Sequence, residues 1–253
     1  GVSGINFDLI YGLPHQTTEM LLNTIDLCNQ IEPDRIALFG YAHVPWVAKK
    51  QRLIDEAALP GAQARLEQST RATEALQEAG YRAIGLDHFA RPDDPLARMA
   101  ERGTLRRNFQ GYTTDQATTM LGVGCTSIGR TPDCYVQNIV ETNAWARAVE
   151  AGQLPVAKGK ILSADDLVHG AVIEALMCQG RVNLGAVAAA HGSDMGVFAD
   201  SMDALEHYTG DGLITWDDTV ITATPLGLPL IRVIASAFDR YLNMGKARHA
   251  VAV

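Results

Sequence analysis

The stretch INFDLIYGLPHQTTEMLLNTIDLCNQIEPDRIALFGY, residues 5–41, decides the fold class of this chain. Its first six residues are rich in β-branched and aromatic side chains and predict a strand, which the turn sequence GLP ends. Residues 18–31 then predict an amphipathic helix. The apolar positions with helical spacing are Leu21, Ile25 and Cys28. After the turn EPD, residues 35–41 predict a second strand, so the chain begins as a strand–helix–strand unit.

A second helix and a third strand extend this unit. Residues 62–79 predict the helix, with Leu66, Thr73 and Leu76 near one face, and Gly80 stands where a left-handed C-cap is wanted. Residues 81–86 predict the third strand. Alternating strands and helices imply a parallel sheet with right-handed crossovers, and functional sites of such folds lie at the carboxyl ends of the strands. We expect three segments at that edge: Asp8, residues 41–43 and residues 87–91.

From residue 163 onward the sequence predicts mostly helices. The sequence SADD predicts an N-cap with acids in the first turn, and short helices are expected near residues 183–191 and 197–208. GLITW and VITAT around Asp217 and Asp218 predict a hairpin, and a last helix is expected over residues 227–242. Three helices and a hairpin make a winged-helix outline. Residues 161–225 contain ten acidic residues and one basic residue, so binding to nucleic-acid phosphates is excluded.

Length and composition indicate a globular protein with a sizeable core. The chain has 253 residues, 47% hydrophobic and 20% charged, and a net charge of −8. It has no long apolar run of a membrane span and no signal-peptide pattern, so we expect a cytoplasmic protein without a membrane partner. Because the sequence lacks an initiator Met and enters a strand at once, we also expect it to be a piece of a longer protein. Its four cysteines lack metal-ligand spacing, and no metal ligands are predicted.

Two strings carry unusually many hydrogen-bonding groups beside aromatic rings, which is typical of a binding site. DHFARPDD spans residues 87–94, and RNFQGYTT spans residues 107–114. The Asp87 carboxylate can fix the tautomer of the neighbouring His88 ring, and the Arg91 guanidinium can bind a carboxylate. Arginines also gather before the second string, at positions 98, 102, 106 and 107. The first two are one helical turn apart and have the alternative interpretation of a solvated helix face.

Both strings, together with INFDLIYGLP (residues 5–14) and YAHVP (residues 41–45), closely resemble the oxygen-independent coproporphyrinogen III dehydrogenases (oxidases). These form a radical S-adenosylmethionine family of haem biosynthesis. The resemblance runs with gaps over nearly the whole chain and implies an α/β fold: the C-terminal part of a partial (β/α)6 TIM-type barrel, followed by a mostly helical, winged-helix-like domain. We predict a barrel portion over residues 1–138, a connecting helix and linker over residues 139–160, and the helical domain over residues 161–253.

The resemblance implies a redox activity. Coproporphyrinogen III would undergo oxidative decarboxylation of two propionates to vinyl groups, started by a 5′-deoxyadenosyl radical, to give protoporphyrinogen IX. The family uses two S-adenosylmethionine molecules and a 4Fe–4S cluster held by a CxxxCxxC motif. That motif is absent from this sequence. The cluster is therefore expected on an N-terminal part outside this chain, and the chain alone is expected to be inactive. The full-length protein is expected to be a monomer with an unknown electron donor and acceptor.

The resemblance also implies roles for individual residues. Asp8, Ala42 and Ile128 match cofactor-binding positions, although from position alone Asp8 equally fits a helix cap. The other matched residues are Arg91, Arg107 and Tyr112 as substrate-binding, and Arg107, Phe109 and Gln110 as catalytic. Arg107 would hold a propionate, and Phe109 and Tyr112 would pack on the tetrapyrrole, with core packing as the alternative for the two rings. His43 is interpreted as a supporting histidine.

Three rival functions remain open at this stage. A haem chaperone of the same superfamily would share the resemblance but bind haem. An interaction module built on the winged-helix part would bind a protein partner instead. An S-adenosylmethionine-binding enzyme without radical chemistry would explain the missing cysteines.

Overall fold

A computed structural model describes Val2 and residues 4–242. The first part of the chain alternates strands and helices as the sequence predicts: β1 (Asn6–Tyr11), α1 (Thr18–Ile31), β2 (Arg35–Gly40), α2 (Ala62–Glu78), β3 (Arg82–Ile84) and β4 (His88–Ala90). Two short 3-10 helices, Lys49–Leu53 and Glu56–Ala58, lie between β2 and α2.

The first sheet is not wholly parallel. Its strand order is β1-β2-β4-β3, with β1 and β2 parallel and β4 antiparallel to both of its neighbours. The segment HFA, which we expected in a loop, therefore forms a strand inserted between β2 and β3. Three residues lie between β3 and β4, and Gly85 among them adopts φ +59°, so the chain reverses instead of crossing over. The prediction of an all-parallel sheet is wrong at this point.

Helices α1 and α2 cover one face of this sheet. Leu21 and Ile25 of α1 pack with Ile36, Leu38 and other sheet residues. The buried face of α2 differs from the prediction, because Leu66 is exposed and Gln68 is buried. The Gln68 side chain accepts from the Gly12 N–H at 3.1 Å and donates to the Gln16 carbonyl at 2.7 Å, so it fixes the loop that follows β1.

A hairpin and a second sheet follow. After α3 (Pro95–Glu101) come the hairpin strands β5 (Arg106–Asn108) and β6 (Gly111–Thr113). A loop then leads to β7 (Ile128–Arg130), which pairs with β8 (Cys134–Asn138). Helix α4 (Thr142–Glu150) precedes β9 (Val156–Ile161), and β9 pairs with β8. Residues 156–160 of the predicted linker segment thus belong to β9, whose backbone completes this sheet.

The helical part has the element order of a winged helix: α5 (Ala164–Gln179), β10 (Arg181–Asn183), α6 (Leu184–Ala190), α7 (Met202–Gly210), β11 (Ile214–Asp217), β12 (Val220–Ala223) and α8 (Ile231–Ser236). The predicted N-cap at Ser163 is confirmed as a capping box with Asp166. The predicted hairpin is confirmed as β11 and β12. Helix α8 is shorter than expected, since a 3-10 turn at Leu228–Leu230 precedes it and turns follow Ser236.

Three hydrophobic clusters organise the described residues. One lies between the first sheet and its two helices, and a large one, from Val168 to Phe238, fills the helical part. The third joins Ile84 and Leu105 to Cys178 of α5, so the hairpin region packs on the helical part. The predicted domain bounds remain a prediction, and their last residues, 243–253, lie outside the described residues. Within the described part, no helix is long and apolar enough to cross a membrane.

Candidate functional site

The face of the first sheet opposite the two helices is partly open. Register pairs Asp8 with Ala37, and Ala37 with His88, so these three residues point to the same side. Asp8 is exposed there and accepts a hydrogen bond from the Asn6 amide at 2.7 Å. Asp8 is the third of six residues in β1, so our placement of it at the carboxyl end of the strand is wrong. It caps no helix, and a carboxylate on an open face suits a hydroxyl-bearing ligand.

The carboxyl ends of β1 and β2 do meet, as predicted, at an edge formed by the loops that follow them. Ala42 is exposed there, and its carbonyl accepts from the Gln51 amide at 3.1 Å. His43 lies between the Tyr41 hydroxyl at 3.3 Å and Glu56 at 3.2 Å, which agrees with a supporting role. Arg65 donates to the Tyr41 carbonyl at 2.8 Å. We did not single out Arg65 from the sequence, because its partner is 24 residues away.

Asp87 and His88 are in contact at the start of β4, and register places His88 level with Asp8 across the first sheet. The Asp87 carboxylate lies 2.7 Å from His88 Nδ1, a contact that orients the ring. The ring centroids of His88 and Tyr112 are 5.2 Å apart in an edge-to-face contact, and Phe39 makes a similar contact with His88 at 6.0 Å. Asp87 and His88, which belong to one sequence string, are therefore connected to the hairpin through the contact between His88 and Tyr112.

Tyr112 is a buried anchor. Its hydroxyl donates to the Met177 carbonyl at 2.8 Å and accepts from the Leu86 N–H at 3.0 Å, and burial raises the pKa of Tyr112 to about 12. A Cβ on Gly85 would lie 2.1 Å from the Tyr112 ring, so the turn fits closely against it. The burial of Tyr112 favours the core-packing alternative for its ring.

The tip of the hairpin, in contrast, is exposed. Asn108 pairs with Gly111, which leaves Phe109 and Gln110 as the two turn residues. The Gln110 N–H donates to the Asn108 side chain at 2.8 Å, which fixes the turn. Phe109 is 56% exposed and touches Tyr135 of β8 edge-to-face, with ring centroids 5.1 Å apart. Phe109 and Gln110 thus present an aromatic face and an amide to solvent.

Arg107 lies under this tip. Its guanidinium carbon is 5.5 Å from the centroid of the Tyr112 ring, and its buried Nε has no hydrogen-bond partner among the described residues. Arg106, beside it, donates to Glu174 of α5 at 2.8 Å, and the Arg107 N–H donates to the same carboxylate at 3.2 Å. The hairpin is therefore tied to α5 while the Arg107 side chain stays available.

A cleft of about 820 Å³ opens between the hairpin, the second sheet and α5. Its size falls in the range of small-molecule sites. Five cationic side chains line it, against three carboxylates. The cations are Arg106, Arg107, Arg130, Lys160 and Arg240. Asn108 and Phe109 line it too, so two of the matched residues, Arg107 and Phe109, share this cleft.

Two predicted residues stand apart from the hairpin. Ile128 begins β7, and register places it on the same sheet face as Arg130 and Tyr135. Arg91 lies at the opposite edge of the first sheet, where its N–H bonds the Asp34 carbonyl and its side chain pairs with Glu32 at 3.2 Å. The prediction that Arg91 lies at the carboxyl edge is wrong, because β4 runs antiparallel and carries it to the other end.

The four cysteines do not gather. Burial raises the pKa of the Cys178 thiol to about 12 and also raises the pKa of the Cys28 thiol, so both stay protonated. Cys125 and Cys134 contact threonine hydroxyls. Among the residues that the structure describes, no three His, Cys, Asp or Glu side chains form a metal-binding group.

Sequence reasoning missed three residues of the cleft, Arg130, Tyr135 and Lys160. Their signal is register: Arg130 pairs with Tyr135, and Tyr135 pairs with Lys160, across three strands. The alternation in IGR and KGKI is too short to show this without knowledge of the strand pairing.

The fold is that of part of a radical S-adenosylmethionine enzyme. It superposes, with a TM-score of 0.90 and 38% identity, on coproporphyrinogen III oxidase (HemN) from Escherichia coli, described as a radical SAM enzyme. That match covers 96% of this chain and 56% of the solved one.

Relatives found by sequence agree with this match. The chain is 46% identical over 253 residues to the oxygen-independent coproporphyrinogen III oxidase of Bradyrhizobium diazoefficiens, which is all of this chain and 56% of that protein. It is 39% identical over 247 residues to the enzyme of the same name from Helicobacter pylori, 97% of this chain and 54% of that protein. No protein-family model matches the chain. The chain is thus homologous to oxygen-independent coproporphyrinogen III oxidases, as the motifs indicated, and spans about half the length of the curated relatives it matches.

Proposed function

We propose that this protein catalyses the oxidative decarboxylation of coproporphyrinogen III to protoporphyrinogen IX. The observation that carries the proposal is the position of the RNFQGYTT hairpin, whose sequence resembles the family, over a cationic cleft. The substrate carries propionate side chains, which are carboxylates at neutral pH. A cleft with a surplus of guanidinium groups in an otherwise acidic protein has the charge that such a substrate needs.

The hairpin supplies binding and orientation. Arg107 has a guanidinium that faces the cleft, and its unpartnered Nε lowers the cost of taking a carboxylate, since no existing ion pair has to break. Phe109 offers an exposed ring at the mouth of the cleft. Gln110 offers an amide at the same tip, suited to a hydrogen bond with a propionate. In this proposal these three residues hold one reacting side chain of the substrate in place.

The described residues fit S-adenosylmethionine as a cofactor. When bound, it would supply the radical that takes a hydrogen atom from the substrate side chain. Asp8 has one carboxylate oxygen bonded to Asn6 and the other free for a ribose hydroxyl on the open sheet face. Ala42 is exposed at the carboxyl edge, where its small side chain allows close approach, and Ile128 offers an apolar side chain on the face of the second sheet that carries Arg130. We propose that these residues hold the cofactor, and that two molecules bind.

The described residues do not fit a 4Fe–4S cluster, since two of the four thiols are buried with raised pKa values and no three of them gather. No step is therefore assigned to a cluster here.

We further propose that the protein acts as a cytoplasmic monomer without nucleic-acid partners. The acidic balance of residues 161–225, ten acids against one arginine, supports the last point.

The test is an anaerobic assay of the full gene product, reconstituted with iron and sulfide, with S-adenosylmethionine, a reductant and coproporphyrinogen III. The expected result is release of CO2 and formation of protoporphyrinogen IX, measured by fluorescence after oxidation. Stable binding of haem without any decarboxylation would overturn the proposal in favour of a haem chaperone.

A further inference from the structure

One face of the second sheet carries a row of charge that faces the cleft. Arg130, Tyr135 and Lys160 are consecutive register partners across β7, β8 and β9, so their side chains point to the same side. All three line the cleft. Lys160 pairs with Asp166 at 3.9 Å, so its charge is partly neutralised.

Arg130 differs from the other cations of this wall. Its guanidinium carbon lies 5.7 Å from the centroid of the Tyr135 ring, a cation–π contact that restrains the side chain. Its Nε is buried and has no hydrogen-bond partner among the described residues, and no carboxylate in that part of the chain pairs with it. A buried donor left without a partner is costly, and such groups in folded proteins usually meet a ligand or water.

Arg107 on the opposite wall is in the same state. It too is stacked on a tyrosine, with its Nε buried and unpartnered. The two walls are held against each other by the contact between Phe109 and Tyr135. Arg106, in contrast, is already paired with Glu174 at 2.8 Å. The cleft therefore presents one unpaired, pre-oriented guanidinium from each of two walls.

We propose that Arg130 is a second carboxylate-binding residue of the site, and that Arg107 and Arg130 each take a different carboxylate of the same tetracarboxylate substrate. This inference rests on the proposed function and goes beyond it, because it assigns the second sheet a direct part in substrate recognition. It also implies a means of release: each decarboxylation removes a negative charge, so a product with two carboxylates is held less tightly than a substrate with four.

The test is a fluorescence titration of the full gene product with coproporphyrin III, the stable oxidised form with the same four carboxylates. Arg130→Leu is expected to raise Kd about 10- to 100-fold, the effect of losing a charge-assisted hydrogen bond. Arg130→Lys keeps the positive charge but lacks the planar guanidinium fork, so its Kd is expected to lie between those of wild type and Arg130→Leu. Arg71→Leu is the control, since Arg71 is exposed on α2 and outside the cleft. The tetramethyl ester of coproporphyrin III, which lacks the charges, is expected to bind wild type and Arg130→Leu equally.

Failure of this inference and failure of the proposed function give different results. If wild type binds coproporphyrin III and Arg130→Leu binds it as tightly, the inference is overturned while the proposed function stands. If reconstituted wild type binds the compound but releases no CO2 from coproporphyrinogen III, the proposed function fails and the cleft is still tested by the titration. Thermal melting checks that each variant is folded. If Arg130→Leu does not fold, the titration is made with Arg130→Lys instead. An unchanged Kd for coproporphyrin III in both Arg130→Lys and Lys160→Gln would then overturn the inference.

Discussion

At the scale of single residues, the sequence grouped residues as the structure does only where those residues belong to one continuous string. Arg107, Phe109 and Gln110 belong to one hairpin, and the structure keeps them together there, with Arg107 and Phe109 lining the cleft. Arg130 was not predicted, because it becomes a site residue only through pairing with Tyr135 in another strand. Arg91 was misplaced for the same reason, since its position depends on the direction of β4. Strand pairing and direction are therefore the information that the sequence alone did not provide.

Arg107 gives the most direct test of the hairpin. Replacing it by alanine removes a charged hydrogen-bond donor, which costs on the order of 1.5–3 kcal/mol. We expect kcat/KM for coproporphyrinogen III to fall roughly 10- to 150-fold, with unchanged iron content and melting temperature. Arg71→Ala, at an exposed site on α2, is the control. Unchanged turnover at sub-saturating substrate would remove Arg107 from the site.

Asp8 gives the matching test of the open sheet face. Asp8→Asn keeps the shape of the side chain and removes its charge, so a hydrogen bond to a charged acceptor becomes a neutral one. We expect S-adenosylmethionine affinity to drop about tenfold while affinity for coproporphyrin III holds, as measured by calorimetry on the reconstituted gene product. Asp93→Asn, at an exposed loop residue, serves as the comparison. Equal affinity in wild type and Asp8→Asn would mean that the carboxylate is structural.

At the scale of elements, periodicity located the long helices and failed for short strands. The predicted spans of α1 and α2 agree closely with the structure, and α5 begins after the predicted N-cap at Ser163, whereas α8 is shorter than predicted. Strands β4 and β9 were missed. Strand β4 has only three residues, and β9 exposes all six of its side chains, so neither shows an alternating pattern. Such strands are held by backbone pairing with neighbours that the sequence does not identify.

The anchoring of the hairpin predicts a stability effect of Tyr112. Tyr112→Phe leaves the Leu86 N–H and the Met177 carbonyl without their partner, so we expect the free energy of unfolding to fall by about 1–3 kcal/mol in urea titrations. Tyr135→Phe is the control, because no hydrogen bond of its hydroxyl is present within the described part of the chain. A loss no greater than in the control would show that the hydroxyl does not hold the hairpin.

The same variant tests the raised pKa. Because the pKa of Tyr112 is raised from 10 to about 12 in the folded protein, the unfolded state ionises first as pH rises. Its contribution to stability is therefore complete below pH 10 and is lost between pH 10 and about 12. The slope of stability against pH in that window should be shallower in Tyr112→Phe than in wild type. Some slope remains, since the pKa of Cys178 is raised as well.

At the scale of the whole molecule, charge is distributed unevenly. The winged-helix part is strongly acidic over residues 161–225, while unpaired arginines line the cleft beside it. The outline of that part was predictable from three helices and a hairpin, and the element order confirms it. Its packing on the hairpin through Cys178 and Met177 was not, because that contact joins segments about 65 residues apart. The site is therefore assembled from both parts of the chain, although its motifs come from the first.

This charge distribution predicts no binding to DNA. Even non-specific binders need lysine or arginine side chains to neutralise phosphates, and the winged-helix strands and helices offer Arg181 alone among residues 161–225. In gel-shift and fluorescence-anisotropy titrations with duplex DNA at physiological salt, we expect no shift from the full chain. A shift that weakens with added salt would contradict the charge argument.

The last prediction concerns iron. Biological iron–sulfur clusters are held chiefly by cysteine thiolates at spacings that bring them round one core. In this chain Cys28 is buried in α1 and Cys178 in α5, while Cys125 and Cys134 flank β7. Bringing any three together would require undoing either the first sheet or the packing of α5, at a cost that approaches the stability of a whole domain, about 5–15 kcal/mol. We therefore expect the 253-residue chain by itself to hold no stable 4Fe–4S cluster and to cleave no S-adenosylmethionine. Anaerobic reconstitution with iron and sulfide, followed by iron counting and assay for 5′-deoxyadenosine, measures both. About four irons per chain with turnover would show that the cysteines rearrange around a cluster despite the positions they occupy in this fold.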